Sequence, residues 1–170
     1  ARFDSDAHTA ILRQLEKDID AVRFDTGAGS IELPVKLKTH ESVFVPLAKW
    51  CMLVAGNYRC VQKDAARSIK EAVHTDLEAT RAVYNWVFKL CVSLGAAEKD
   101  LVPFDKYATA ALSLGSPSSA ARALFAGAPN IERVDRLVQT IAAQKGMQSH
   151  VLDQTVALVD ARLELNRKKA

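Results

Sequence analysis

Cysteine is scarce and poorly spaced for covalent structure: Cys51, Cys60 and Cys91 are an odd number in 170 residues, without the close pairing of a zinc site or the density of a disulfide framework. Free thiols are therefore expected, which points to the cytoplasm or another reducing compartment. Long apolar runs are lacking as well. None approaches the roughly 20 residues needed to span a bilayer, and Leu53 to Gly56 soon gives way to Asn57, Tyr58 and Arg59, so no membrane partner is expected. There is no P-loop and no Rossmann glycine pattern, which removes the familiar nucleotide cradles. Charge of one sign is not in large excess either. A net charge of +3 does not by itself demand a polyanionic partner, so the distribution of charge has to decide.

What remains is the balance of an ordinary soluble domain, 49% apolar and 25% charged. At this length one domain can hide about two thirds of its unfolded surface. The strongest periodic signal runs from Val61 to Leu94 and stops at Gly95. Ala65/Ala66, Ile69, Ala72/Val73, Leu77, Thr80, Val83/Tyr84, Val87, Leu90/Cys91 and Leu94 share one side at ~100° per residue, which predicts a single long amphipathic helix. Asp76 falls among these apolar positions, where a carboxylate needs a partner such as Thr80 or an arginine. Tyr84, Trp86 and Phe88 face consecutive directions, so this helix is expected to pack on more than one side.

Elsewhere Ser5 caps a first helix through about Val22, with Ile11, Leu12, Leu15, Ile19 and Val22 as its inward stripe. Residues 25–46 read as at most one hairpin or extended arm. Asp25 to Ser30 breaks the helix, and Ile31, Leu33, Val35 and Leu37 alternate as a half-buried strand that Pro34 confines to an edge. Val43 to Val45 is a second strand candidate, with Pro46 instead opening a helix through Trp50, Met52 and Leu53 as the stronger reading. After the long helix, Asp105, Ser116 with Pro117, Asn130 and Ser149 are the expected helix starts, with Gly115, Gly127 and Gly146 as stops. Six or seven helices joined by short loops read as one mainly α domain over residues 1–170, a helical bundle with an N-terminal arm.

Chemistry is thin. Asp25-Thr26-Gly27-Ala28 matches the short signature of aspartic proteases, but those enzymes are β-rich and need a second aspartate, so a glycine-rich turn is the better reading. Glu71 and His74 have the Glu-x-x-His spacing of di-iron bundles. No second copy exists, and both residues lie away from the apolar side, which favours a solvated pair over a metal. Among the cysteines only Cys60, beside Arg59 and near Lys63, has a cationic setting that could lower its pKa. The expectation is no catalytic residue, no metal and no cofactor.

Positive charge gives the strongest functional candidate. On the long helix Lys63, Arg67, Lys70, His74 and Arg81 lie within ~60° of one another, a spacing that lets cations meet successive phosphates of a nucleic-acid backbone. Asp64, Glu71 and Glu78 form a parallel acidic row that argues instead for a salt-bridged, solvated face. The basic end from Arg162 to Lys169, including Arg167, Lys168 and Lys169, adds positive surface, as do Lys36/Lys38 and Arg133/Arg136.

In size, helical content and lack of chemistry the chain is similar to coat and nucleoproteins that assemble on a nucleic acid. The expected function is a non-enzymatic structural subunit that forms homo-oligomers and contacts the backbone of RNA or DNA through Lys63, Arg67, Lys70, Arg81, Arg167, Lys168 and Lys169. The alternatives are a protein-binding adaptor with a merely solvated charged face, and an enzyme or metal protein using one of the weak sites.

Overall fold

The computed structural model describes residues 1–169 and is mainly α-helical, with one small antiparallel hairpin. Two compact units divide the chain, Ala1–Val45 and Pro46–Ala170. No helix among the described residues is long and apolar enough to cross a membrane.

In the first unit, helix α1 (Asp6–Ala21) starts where its cap predicts: Ser5 is extended, and its hydroxyl accepts from the backbone N–H of His8. The hairpin pairs β1 (Arg23–Asp25) with β2 (Ser30–Glu32), Phe24 opposite Ile31. This corrects the expected strand, which extended to Leu37 with Val43 to Val45 as its candidate partner. The turn between the strands explains the choice. Gly27 takes φ 78°, the Asp25 carboxylate accepts from the Gly27 N–H at 2.8 Å, and Thr26 bonds Gly29 through both backbone and hydroxyl. A local reversal has little loop entropy to overcome, and Pro34 has no N–H with which to continue the ladder. Beyond it the chain is tied by charge: Lys36 lies 3.1 Å from Asp20, and Lys38 lies 2.8 Å from Glu16, whose other oxygen takes the Thr39 N–H.

The second unit opens with α2 (Ala48–Met52), which runs on through a π-helical turn at Leu53–Asn57 and a 3-10 turn at Tyr58–Cys60. The wider turn accommodates a close approach. A Cβ at Gly56 would lie 1.8 Å from the Tyr107 hydroxyl, so only glycine fits there. Then follow α3 (Ile69–His74), α4 (Leu77–Ser93), α5 (Phe104–Ala111), α6 (Ser119–Phe125), α7 (Val134–Gln144) and α8 (His150–Arg167).

The predicted single helix over 61–94 is therefore broken twice. Residues 61–68 form a non-helical turn with a Val61–Ala66 bridge. Ser68 then starts α3 through a complete capping box with Glu71, and Asp76 starts α4 by accepting from the Ala79 N–H at 2.9 Å. Periodicity reports which residues face inward; it is blind to a cap that lets the backbone turn extended between two helical runs. Asp76 is exposed rather than buried for the same reason. Three other starts shift by a few residues. Ser118 caps α6, Pro103 precedes α5 with Asp105 in its first turn, and α7 begins after Arg133. Ser118 prevails over Ser116 because its hydroxyl serves two ends, accepting from Ala121 and donating to the Asn57 carbonyl at 2.7 Å.

The core of this unit surrounds α4. Tyr84, Val87, Leu90 and Cys91 are fully buried there. Tyr84 stacks on Tyr107 at 5.4 Å, meets Phe104 edge-on at 5.3 Å and donates to the Val102 carbonyl, so each buried phenol has both apolar neighbours and a hydrogen bond. Trp86 and Phe88 are half-buried on other faces. Trp86 borders a groove of about 690 Å³ shared with residues of α7 and α8, as expected for a helix packed on several sides. Two polar devices close the unit. Buried Asn166 donates to the Leu124 and Ala128 carbonyls at the end of α6, and fully buried Asp135 is gripped by two nitrogens of Arg133, each at 2.9 Å.

Candidate nucleic-acid interface

The predicted basic stripe does not lie on one helix face, because its residues belong to three different segments. Lys63 is exposed in the turn 61–68, and Lys70 is exposed on the first turn of α3. Arg67 ends the turn, half-buried, with its Nε donating to the Arg59 carbonyl at 3.0 Å. His74 faces inward against α5, its Nε2 2.9 Å from the Ala108 carbonyl. Arg81 sits over the Phe104 ring at 4.4 Å and pairs with Asp105 at 2.9 Å and Glu78 at 3.8 Å, so much of its charge is compensated on the spot.

The other expected cations sort in the same way. Arg167 spends its guanidinium on the Pro129 carbonyl and the Asn130 side chain. Arg133 and Arg136 both pair with Asp160, and Lys36 and Lys38 with Glu16, Asp20 and Glu32. These are structural ion pairs and not free positive surface. Lys168 and Lys169 are exposed beyond the end of α8.

A different cluster forms in their place. The turn 61–68 lies against α8, where Arg162 donates to the Lys63 carbonyl at 3.2 Å and stacks its guanidinium 4.0 Å over the Phe125 ring. Its Nε is buried without a hydrogen-bond partner among the described residues. Arg59 is also half-buried, donating from Nη1 to the Ala55 carbonyl and to the Thr80 hydroxyl at 2.7 Å. Burial, and then the neighbouring Arg67 charge, hold the Arg59 pKa below its ordinary value, with Asp76 opposing from beyond ion-pair distance. Among the described residues, no carboxylate lies within 4.0 Å of the side-chain nitrogens of Arg59, Lys63, Arg67, Lys70 or Arg162. No family model, curated protein or solved structure matches this chain.

Sequence reading found Lys63, Arg67 and Lys70 but gave Arg59 no role of its own. It placed Arg162 only in the basic end of the chain. The missing signal is tertiary, since nothing in the spacing says that the turn 61–68 meets α8 some hundred positions later. The weaker chemical motifs are absorbed by structure. Glu71 is committed to the Ser68 cap, which holds its carboxyl below the usual range. Cys60 is fully buried, and burial raises its thiol pKa against the opposing hydrogen bonds of Ser118 and the Arg67 charge. The Cys51 thiol is raised as well, first by its hydrogen bond with Cys91 and then by burial. Asp25 closes an exposed hairpin turn.

Proposed function

We propose that this chain is a non-enzymatic assembly subunit that self-associates through its N-terminal unit and contacts a nucleic-acid backbone through the second. The observation that carries the proposal is the uncovered apolar surface of residues 1–45. Ile11 on α1 is 65% exposed, and Phe24 and Ile31, cross-strand neighbours of the hairpin, are 55% and 49% exposed. An isolated exposed leucine needs no explanation, but a helix stripe and a hairpin pair left open in one small unit mark an interaction surface. Favouring nucleic acid as the second partner are the cations of the 59–70 segment, which have no carboxylate partner among the described residues while Arg81, Arg133 and Arg136 are paired.

The test is solution mass by light scattering at micromolar concentration, before and after nuclease treatment. Wild-type protein is expected to be at least dimeric, and an Ile11→Asn/Leu15→Asn variant to fall to the monomer with its helical signal retained. A wild-type monomer across that range would remove the assembly reading and leave the apolar unit as a docking element for some other protein.

A further inference from the structure

The segment 59–67 and one side of α8 enclose a pocket of about 240 Å³. Arg59 and Arg67 form one wall; Gln154, Thr155 and Leu158 of α8 form the other. No carboxylate lines it. Arg67 uses only its Nε in the hydrogen bonds within the described residues, which leaves the outer edge of its guanidinium uncommitted, and Arg59 uses only Nη1. The Gln154 amide is exposed and has no hydrogen bond there. Four residues past Leu158, Arg162 continues the same side of the helix and reaches the Lys63 carbonyl. Two half-buried arginines side by side, with no counter-charge in contact among the described residues, are an unfavourable arrangement that an anion between them would relieve. The guanidinium fork matches the oxygens of a phosphate. The volume is below the roughly 300 Å³ at which pockets for drug-sized molecules begin, so a single phosphate group suits it better than a whole nucleotide.

We propose that this pocket seats one phosphodiester of a polynucleotide, with Arg59 and Arg67 as the anion ligands and Gln154 as a neutral donor opposite them. Lys63, Lys70 and Arg162 supply the cationic surroundings in which neighbouring phosphates of the same strand are held. The proposal rests on the reading of this chain as a nucleic-acid-binding subunit and assigns the contact within it.

Replacing arginines that also bond the backbone risks unfolding, so the discriminating position is Gln154. In the full chain, Gln154→Glu is expected to weaken binding of a single-stranded oligonucleotide at least tenfold and Gln154→Lys to retain or tighten it, both with unchanged thermal melts. The slope of log affinity against log salt should fall by about 0.7 in Gln154→Glu, the value for one lost phosphate on a single strand. Lys106→Gln, the same unit change in net charge at an exposed position on α5, should move the affinity less than twofold. Oligonucleotide binding that is equal in Gln154→Glu, Gln154→Lys and wild type would overturn the pocket while leaving the nucleic-acid reading intact. Wild-type protein that takes up inorganic pyrophosphate by calorimetry but no oligonucleotide would overturn both, and so would binding of neither.

Discussion

The two units of this chain solve the same problem in opposite ways. Among the described residues, 1–45 hold eight of the thirteen large hydrophobic side chains left exposed and bury only Thr9, while 46–169 hold five and bury the apolar core. Charge divides as well. The first unit has six basic and eight acidic residues, a balance of −2, and the second has seventeen and twelve, a balance of +5. The small unit is close to the roughly 40-residue size below which a chain cannot build a sufficient core without a staple or a partner, and it is held by exposed ion pairs and caps. The large unit is held by burial. The comparison teaches that a modest overall charge of +3 averages a basic unit that buries its apolar side chains with an acidic unit that leaves many of them exposed.

The largest effect that separates the units is the same substitution made in each. Leu90→Ala removes a fully buried side chain and should cost about 4 kcal/mol in chemical denaturation. Leu15→Ala, at a position 46% exposed, should change that stability by less than about 0.5 kcal/mol and lower the assembly mass instead. Equal losses in the two variants would mean that α1 is folded into a shared core, and the contrast would collapse.

A smaller contrast sets a buried ion pair against an exposed one. Asp135→Asn removes the fully enclosed carboxylate from Arg133, which keeps Asp160 at 2.6 Å, and should lower stability by about 2 kcal/mol, the scale of a lost hydrogen bond between charged groups. Glu16→Gln removes the partner of Lys38 in a setting where solvent screens the charge, and the unfolding midpoint should not move measurably.

The smallest effect is confined to the N-terminal unit and follows pH. Glu16 is held below its ordinary pKa by the hydrogen bond from Lys38, and Asp20 and Glu32 by that from Lys36; the two lysines are raised in turn. A depressed carboxylate contributes stability that is present above its unfolded pKa, here 4.5 for glutamate and 3.8 for aspartate, and lost as pH falls through the lower folded value. A raised lysine contributes below 10.5 and loses its contribution as pH rises through the folded value. Amide exchange at Lys36–Thr39 should therefore be slowest between about pH 4.5 and 10.5 after correction for intrinsic rates, faster in acid, and faster in molar salt at neutral pH. Protection that is indifferent to salt would show that something other than these pairs holds the segment.

Legibility followed the range of the interactions involved. Local stops were readable: Ser5, Ser149, Gly95, Gly127 and Gly146 mark helix ends as expected, the three glycines with positive φ, because caps and left-handed residues act within a few positions; the stripe expected to face inward on α1, by contrast, leaves Ile11, Leu15 and Val22 exposed. The break at Ser68 and Asp76 was legible in principle, since Ser68 to Glu71 is a capping-box spacing, but a continuous apolar stripe outweighed it. Of the predicted interface, Lys63, Lys70, Lys168 and Lys169 remain exposed cations and Arg67 lies in the arginine pair, while Arg81 and Arg167 are drawn into local bonds. A sequence gives the charge of a residue and its place on an ideal helix; whether that charge is already spent depends on Asp105, Pro129 and Asp160 arriving from elsewhere.

By itself, then, the order of residues determined that this is a mainly helical chain, where several of its helices start and stop, and that a hairpin or arm follows the first helix, though not which residues pair in it, because those outcomes depend on propensity, periodicity and turn chemistry within a dozen residues. Only the tertiary structure decided that the apolar stripe of α1 stays uncovered, that Gly56 must admit a tyrosine hydroxyl, and that Arg59, Arg67 and Arg162 gather without carboxylate partners. Each of these depends on which surfaces meet across some fifty to a hundred residues. That meeting is governed by burial and the exclusion of water, and local spacing carries no record of it.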